Sequence, residues 1–449
     1  MFSLLHGLLQ GLLHGPLRGL LHGLRRLPVR GGAAATAALA LLLASPGSAH
    51  AASGDLDPSF GGNGKVVDLD VSAGMEGHGL AVQDDGKLVA LGSFYGEGTG
   101  PDFVVVRYNP DGTLDSGFGN EGVVTTDFGQ GEEAAHGLAL QPDGKIVVVG
   151  TTQRPGSEGC CWFTVARYQP DGDLDTGFGD GGRTITDFGS DGSADAYAVT
   201  VQPDGRIVAV GQSGGDIVVA RYDSAGDPDP TFSGDGQLTT HFSAGGISTA
   251  QDVALQSDGR IVVAGGVGLG NPGYTPAFAL VRYNPNGSLD TGFDGDGKRV
   301  VGFSGEAQGY GLVLIPGGDM AVAGYVTPSG GTSSRFALAR LNADGSLDTG
   351  FDGDGKVTTT FAGGARAHDV ALQSDGKLVA AGSRGGDWAL ARYNTNGSLD
   401  TGFDGDGKVV TDFTPGVADH ARDVVVQADG RIVAAGDADT YLALARYLP

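Results

Sequence analysis

The sequence contains little cysteine. Two cysteines occur in 449 residues, and they are neighbours, Cys160 and Cys161. Adjacent cysteines cannot join distant parts of a chain, which excludes a fold held together by a disulfide framework. Two loop thiols without function and a strained vicinal disulfide formed after export are both consistent with this pair.

Basic residues are also scarce. The chain has 28 lysines and arginines against 53 aspartates and glutamates, and its formal net charge is −25 at pH 7. Such a surface repels polyanions, so we expect neither nucleic acid nor an anionic membrane surface as a partner. The most apolar run, 33–44, is shorter than the roughly 20 residues that a membrane span needs. No membrane span is therefore predicted, and a soluble monomer is expected.

The first 51 residues differ from the rest of the chain. They carry four arginines and no acidic residue, followed by the apolar run AAATAALALLLA at 33–44 and by the small-residue site Ala49-His50-Ala51. A basic segment, an apolar segment and a small-residue site in this order are typical of a cleaved secretory signal. The sequence thus predicts a signal peptide over 1–51, a mature chain over 52–449 and an extracellular location.

The mature chain consists of seven copies of one unit. An arginine that mostly occurs in the motif ARY or VRY repeats every 52 to 61 residues. Each unit reads as a short apolar segment, a turn such as QPDG, a second segment such as KIVVVG (145–150), a third that ends in ARY, and a fourth after a Gly-rich turn. The seven arginines are Arg107, Arg167, Arg221, Arg282, Arg340, Arg392 and Arg446.

These segments have the signature of β-strands. They are short, rich in Val, Ile and Leu, and bounded by Asp-Gly or Asn-Gly turns, whereas helical periodicity is absent. Four strands per unit, seven times, predict an all-β fold, a seven-bladed β-propeller of four-stranded blades. The mature chain begins with a fourth-strand segment (56–70) and ends with a third (442–449). We therefore expect the N-terminal strand to complete the C-terminal blade and close the ring.

The repeated unit resembles the delta-60 repeat family of secreted and surface proteins of bacteria. The matching segments are ALQPDGKIVVVG (139–150) and ARYNTNGSLDTGFDGDGKV (391–409). The strand order is similar to that of NHL propellers. The resemblance implies a propeller and brings no established activity and no catalytic residues.

The segment LDTGFDGDGK occurs three times, from Leu289, Leu347 and Leu399, and has two interpretations. The other copies keep the Phe and the Gly at the fifth place of FDGDGK but not the acids, and the spacing does not fit an EF-hand loop. A tight turn with a buried aromatic residue is the favoured interpretation. The alternative is a structural Ca²⁺ ion at these three turns, and no other cofactor is expected.

Six of the seven repeated arginines have a matching aspartate eight residues downstream, and Arg446, near the end of the chain, is matched by Asp57 near the start of the mature chain. Because the pair is present in every unit, it cannot define one asymmetric active site. It is interpreted as an ion pair that ties the third strand to the following turn. The matching aspartates are Asp57, Asp115, Asp175, Asp229, Asp290, Asp348 and Asp400.

One position in the first strand is polar or amphipathic in every unit but differs in identity between units. It lies five residues before the Gln that ends this strand, or before Ile315 in unit five. The innermost strand of a blade lines the channel, so this position predicts a polar ligand pocket at the channel mouth. The seven residues are His78, His136, Tyr197, Gln251, Tyr310, His368 and Arg422. Three aspartates directly follow members of this set, at Asp252, Asp369 and Asp423.

The loops after the second strand predict a second contact surface. They are long in units one, two, four and five, and variable loops on a rigid scaffold commonly carry function. Aromatic and arginine side chains there suit protein or sugar recognition, although ordinary solvated loops would look the same. The candidates are Tyr95, Arg154, Trp162, Tyr274 and Arg335.

Two functions remain open. No nucleophile elbow, HExxH motif or phosphate loop occurs in the mature chain. This favours a non-enzymatic secreted scaffold that binds a protein or glycan through its variable loop face. The alternative is an extracellular hydrolase or lyase, metal-assisted through His78, His136 and His368, with its site at the channel mouth.

Overall fold

The chain forms a ring of seven antiparallel blades of four strands each. The computed structural model describes residues 51–67, 75–96, 100–129, 131, 133–153, 161–189, 193–242, 246–270 and 273–449. The predicted all-β propeller is confirmed. Among the described residues, no helix has the length and apolar character needed to cross a membrane.

Blades 1 to 4 each contain four consecutive strands. Blade 1 comprises β2 (Met75–Val82), β3 (Leu88–Gly96), β4 (Gly100–Tyr108) and β5 (Val123–Thr126). Blade 2 comprises β6 (Ala134–Leu140), β7 (Ile146–Gln153), β8 (Cys161–Tyr168) and β9 (Arg183–Thr186). Blade 3 comprises β10 (Ala194–Val201), β11 (Ile207–Ser213), β12 (Asp216–Tyr222) and β13 (Gln237–Thr240). Blade 4 comprises β14 (Ile247–Leu255), β15 (Ile261–Leu269), β16 (Ala277–Tyr283) and β17 (Lys298–Val301).

Blades 5 to 7 complete the ring. Blade 5 comprises β18 (Gly305–Leu314), β19 (Met320–Pro328), β20 (Arg335–Leu341) and β21 (Lys356–Thr359). Blade 6 comprises β22 (Ala365–Leu372), β23 (Leu378–Arg384), β24 (Asp387–Tyr393) and β25 (Lys408–Thr411). Blade 7 comprises β26 (Asp419–Val426), β27 (Ile432–Ala438), β28 (Tyr441–Tyr447) and β1 (Lys65–Val67).

The N-terminal strand closes the ring, as the sequence predicts. Strand β1 pairs antiparallel with β28, in a register that places Val66 opposite Leu444. The last blade therefore takes its outermost strand from the start of the propeller. This arrangement covers the edge of β28, which would otherwise be open to pairing with another chain.

The hydrophobic core lies between blades. Seven clusters of buried side chains each combine residues from two neighbouring blades, and one of them joins blade 1 to blade 7 through Phe60, Met75 and Leu442. A single blade has no complete core of its own, so its stability depends on its neighbours.

The FDGDGK segments are turns that link neighbouring blades. The phenylalanine is fully buried in all seven copies, and the glycine at the fifth place has a positive φ, 85° at Gly297. Asp296 Oδ1 accepts a hydrogen bond from Lys298 N at 2.9 Å, and Asp294 N donates to the Asp344 carbonyl of the next blade. Turn geometry accounts for these residues, and structural calcium stays a prediction.

The predicted Arg–Asp pairs form in all seven blades. Arg221 is typical: its Nε lies 2.8 Å from Asp229 Oδ2, and both side chains are about 5% exposed. A terminal nitrogen of the same guanidinium donates to the Pro285 carbonyl in the next blade at 2.5 Å, and the guanidinium stacks over the Phe232 ring. The pair therefore joins the third strand to its own turn and to the neighbouring blade.

Candidate functional site at the channel mouth

The seven channel-mouth residues occupy β-bulges. The first strand of every blade pairs with the second in regular register except for a shift at one shared place, and blade 4 has a further shift between Ile247 and Thr249. In blade 1, Gly77 pairs with Gly92 and Gly79 with Leu91, so His78 has no partner across the ladder. The skipped residue in each other blade is the predicted one, and blade 5 skips Gly311 as well as Tyr310. A bulge turns an extra side chain away from the regular pleat.

A glycine in the second strand makes each bulge possible. A Cβ atom on Gly382 would lie 2.0 Å from the Arg366 carbonyl oxygen, and one on Gly211 would lie 1.8 Å from the Asp195 oxygen. The carbonyl before each bulge thus occupies the space of a side chain. This explains why the second segment ends in glycine in every repeat, as in KIVVVG at 145–150.

The bulges bring all seven predicted side chains to one cavity of about 420 Å³. Each of these side chains is half-buried. The first strands that carry them lie next to one another around the ring. His78 contacts His136, with ring centroids 5.5 Å apart, and His136 contacts Tyr197 at 5.3 Å. The cavity is therefore lined by a continuous belt of polar and aromatic groups.

The three histidines of the cavity are neutral at physiological pH. Burial lowers the pKa of His78 to about 3, with further contributions from His136 and Arg422. Burial also lowers the pKa of His136 and of His368 to about 4. A neutral imidazole has one donor and one acceptor nitrogen, so each ring can exchange hydrogen bonds in both directions.

His368 has a fixed tautomer. Its Nδ1 lies 2.8 Å from the Ala421 carbonyl oxygen of blade 7. Because a carbonyl only accepts, Nδ1 carries the proton and Nε2 is left as the acceptor. The ring also packs edge-on against Tyr310, with centroids 5.6 Å apart, and Tyr310 stacks on Tyr325.

Three half-buried aspartates line the same cavity and connect the blades. Asp252 Oδ2 accepts a hydrogen bond from Leu312 N at 2.6 Å, and Asp423 Oδ2 accepts one from Leu80 N at 2.7 Å. Asp369 accepts likewise from Val424 N. Burial raises the pKa of Asp252 to about 7, and burial together with neighbouring carboxyls raises the pKa of Asp369. A carboxyl group that keeps its proton can both donate and accept a hydrogen bond.

A second cavity of about 390 Å³ adjoins the first and shares His368 and Arg422 with it. Arg422 Nε donates to Asp437 Oδ1 at 3.1 Å, and His420 Nδ1 lies 2.8 Å from Asp437 Oδ2. Burial alone would raise the pKa of Asp437, but His420 and Arg422 bring it below its ordinary value. Arg366 lies in the same cavity, with its guanidinium 4.4 Å from the Tyr325 ring. We call these residues, Arg366, His368, His420 and Arg422, the basic corner.

Sequence reasoning missed Arg366, His420 and Asp437. The first two lie two residues before a bulge, on the same side of the strand as the bulged residue. A signal existed, because this position reads Glu76, Ala134, Asp195, Thr249, Gln308, Arg366 and His420 around the ring. Its two basic members fall on adjacent blades, 6 and 7. The partner Asp437 lies on the second strand, and no repeat pattern marks it.

The arrangement does not give the three-histidine metal site of the alternative hypothesis. In the part of the chain that the structure describes, three His, Cys or carboxylate ligand atoms lie within 4.8 Å of one another only at Asp102, Asp127 and Glu133. That group lies at the outer part of blade 1, and both oxygens of Glu133 accept from Phe128 N. Burial and the neighbouring acids raise the pKa of Glu133 to about 7.

The predicted loop-face residues that the structure describes line neither of these cavities. Tyr95 and Tyr274 are exposed, at 48% and 38%, and Arg335 is exposed at the start of β20. Trp162 is half-buried in β8. Arg154 and Cys160 lie outside the described residues. The side chains at the bulges, and not the described loop-face residues, therefore line the cavities.

Three solved structures are similar to this chain. Virginiamycin B lyase from Staphylococcus aureus matches with a TM-score of 0.52 and 11% identity, over 86% of this chain and 98% of that one. YCF48 from Cyanidioschyzon merolae matches with a TM-score of 0.47 and 16% identity, over 84% and 97%. A gluconolactonase from Xanthomonas campestris matches with a TM-score of 0.39 and 16% identity, over 70% and 86%. At these identities the likeness is one of fold alone. No curated protein matches the sequence.

The repeats themselves identify the family. The family described as domain of unknown function (DUF5122) beta-propeller matches seven segments, each running from the end of a first strand to the turn after the third or to the end of the chain. They are 83–118, 141–178, 202–232, 256–293, 318–351, 373–403 and 427–449. Together they cover more than half of the sequence, and the chain belongs to the DUF5122 β-propeller family.

Proposed function

We propose that this propeller is a secreted, non-enzymatic binding protein that holds a glycan ligand at the channel mouth, on the face of its variable loops. The observation that carries the proposal is the set of seven bulges, which aim seven polar side chains of four residue types into one cavity. A purely structural position would be expected to repeat one residue type, as the Arg–Asp pairs do.

The chemistry of the lining favours a ligand rich in hydroxyl groups. Neutral imidazoles, phenols and an amide each offer both a donor and an acceptor. A sugar hydroxyl also donates and accepts, so it matches such a surface. Aromatic faces at Tyr310 and Tyr197 add apolar contact area for a sugar ring. A protein ligand would instead be expected to use an apolar centre, and the cavity centre is polar.

A binding array of bacterial and plant glycans tests the proposal with the purified mature chain. We expect Tyr310→Ala and His136→Ala to abolish the signal of any bound glycan while the melting temperature stays close to that of the wild type. The matched control is Tyr274→Ala, an exposed tyrosine outside the cavity. Loss of binding in the control alone would move the site to the loops. Binding of proteins but of no glycan would contradict the proposal.

A lyase or hydrolase is the second candidate, and one observation favours it. The fixed tautomer of His368 leaves Nε2 as an acceptor beside Tyr310, which is the arrangement of a general base next to an acid. Turnover of a bound glycan that is lost in His368→Gln, with binding retained, would replace the non-enzymatic proposal.

Export through the signal peptide over 1–51 is part of the proposal. The support is the order of basic, apolar and small-residue segments in the sequence. Mass spectrometry of the protein recovered from the culture medium should give a chain that begins at Ala52. A chain that keeps its first 51 residues inside the cell would contradict it.

A further inference from the structure

The basic corner is an exception on a strongly acidic chain. The formal net charge is −25, yet Arg366 has no carboxylate partner among the residues that the structure describes. Its guanidinium lies over the Tyr325 ring, which holds it in place without neutralising it. An arginine that is positioned and left without a counter-ion is suited to an anion from outside.

Arg422 is also held in place, in its case by a carboxylate. Asp437 engages its Nε, and within the described part of the chain its two terminal nitrogens have no hydrogen-bond partner. The other oxygen of the Asp437 carboxylate already contacts His420 Nδ1. The free edge of the Arg422 fork is therefore available to a planar group with two oxygens.

The two arginines converge on one place. Both line the second cavity. Burial raises the pKa of Tyr310, and the positive charges of Arg366 and Arg422 both act to lower it. At the position two residues before each bulge, the acidic members Glu76 and Asp195 lie on blades 1 and 3, and Arg366 lies on blade 6. Blades 6 and 7 also carry carboxyl groups, but Asp369 and Asp423 accept from backbone N–H groups and Asp437 is engaged by His420 and Arg422. Arg366 and the free edge of Arg422 therefore form a basic patch at blades 6 and 7.

Resting on the proposed glycan-binding function, we infer that the ligand contains an acidic sugar, a uronic acid residue whose carboxylate is held by Arg366 and Arg422. His368 and Arg422 line both cavities, so a carboxylate bound by the two arginines would lie next to the larger cavity. The hydroxyl groups of the same or the next sugar would then meet the neutral belt. Ser383 and Ser333 offer further hydroxyls at the basic corner.

Matched pairs of probes test the inference by isothermal titration calorimetry on the mature chain. Each pair is an oligouronate of three residues (galacturonate, glucuronate or mannuronate) and its methyl ester, which removes the charge and keeps the ring. A charge-assisted hydrogen bond stabilises more than a neutral one, so we expect the acid to bind at least about tenfold more tightly than the ester. Affinity for the acid should also fall as salt is raised.

Variants assign the effect to the two arginines. Arg366→Gln and Arg422→Lys should each lose about tenfold in affinity for the acid and lose less affinity for the ester, so that the preference for the acid falls. The lysine variant keeps a positive charge beside Asp437, so the fold is not put at risk. Arg335→Gln is the control, because Arg335 is exposed on blade 5 and lies outside both cavities.

The outcomes separate the inference from the function on which it rests. Equal affinity for acid and ester would overturn the inference and leave glycan binding standing. If neither the oligouronates nor their esters bind but a neutral glycan binds in the array, the inference is also overturned and glycan binding still stands. A peptide with a free carboxyl terminus that binds more tightly than every oligouronate, and more tightly than its own amide, would overturn both.

Discussion

Replacing Gly382 with alanine should destabilise the protein by distorting the bulge at His368. The added Cβ would lie 2.0 Å from the Arg366 oxygen and 2.8 Å from Ala367 Cα. Contacts of Cβ below 3.0 Å are essentially never seen, so the two strands must separate by about 1 Å at this point. Both neighbours are backbone atoms, so no rotamer change can relieve the clash.

The size of the effect follows from the cost of overpacking, which is about 1–3 kcal/mol. The entropy of unfolding scales with chain length, at about 2.1 cal/mol/K per residue. For a propeller of this length, the melting temperature should therefore fall by about 1–4 °C. Differential scanning calorimetry resolves such a shift.

A matched control isolates the bulge. Gly302 lies just after β17, has no atom within 4 Å of an added Cβ and does not have a positive φ. Gly302→Ala should leave the melting temperature unchanged or raise it slightly, because alanine restricts the unfolded chain. If Gly382→Ala melts like Gly302→Ala, the carbonyl does not fill the space of the missing side chain, and the explanation of the seven glycines is wrong.

Three further predictions concern ion pairs, protonation and metals. Arg340→Leu should lower stability by about 1–3 kcal/mol in calorimetry, because among the described residues Arg340 is the only cation paired with Asp348; a melt as high as that of Arg335→Leu would contradict this role. Burial raises the folded-state pKa of Asp252 from 3.8 to about 7, so stability should fall as pH rises from about 4 to about 7. Asp252→Asn should show a smaller fall between these pH values, and identical pH profiles would refute the assignment. Treatment with EDTA should leave the melting temperature unchanged, because turn hydrogen bonds already engage Asp296; a large rise on adding Ca²⁺ would make FDGDGK a ligand loop, and a rise with Zn²⁺ would point to the channel histidines.

The fold could be predicted almost completely from the sequence, because each physical cause recurs seven times. Asp-Gly turns, apolar segments and buried phenylalanines such as Phe293 repeat at a nearly constant spacing. The incomplete first and last units also predict the pairing of β1 with β28. A residue type that repeats in all seven units reflects a requirement of the scaffold, whereas one that occurs in a single unit belongs to that blade alone.

The site could be predicted in part. The seven channel-mouth residues, which include His136, could be predicted because this position is polar or amphipathic in every unit while the residue type differs between units. The bulge that positions it was not foreseen, although the glycine of KIVVVG at 145–150 was its signal. The pairing of Arg422 with Asp437 could not be predicted, because it depends on the register of β26 with β27 and on a side chain that no other blade repeats.

The most direct test of the channel-mouth site is an NMR titration of the mature chain with isotope-labelled histidine, using the glycan that binds most tightly in the array. The resonances of His78, His136 and His368 should shift together as the glycan is added, because all three line one cavity. The resonance of His241, whose side chain is 70% exposed and lies outside that cavity, should stay in place. Shifts at His241 with none at the three channel histidines would contradict a binding site at the channel mouth.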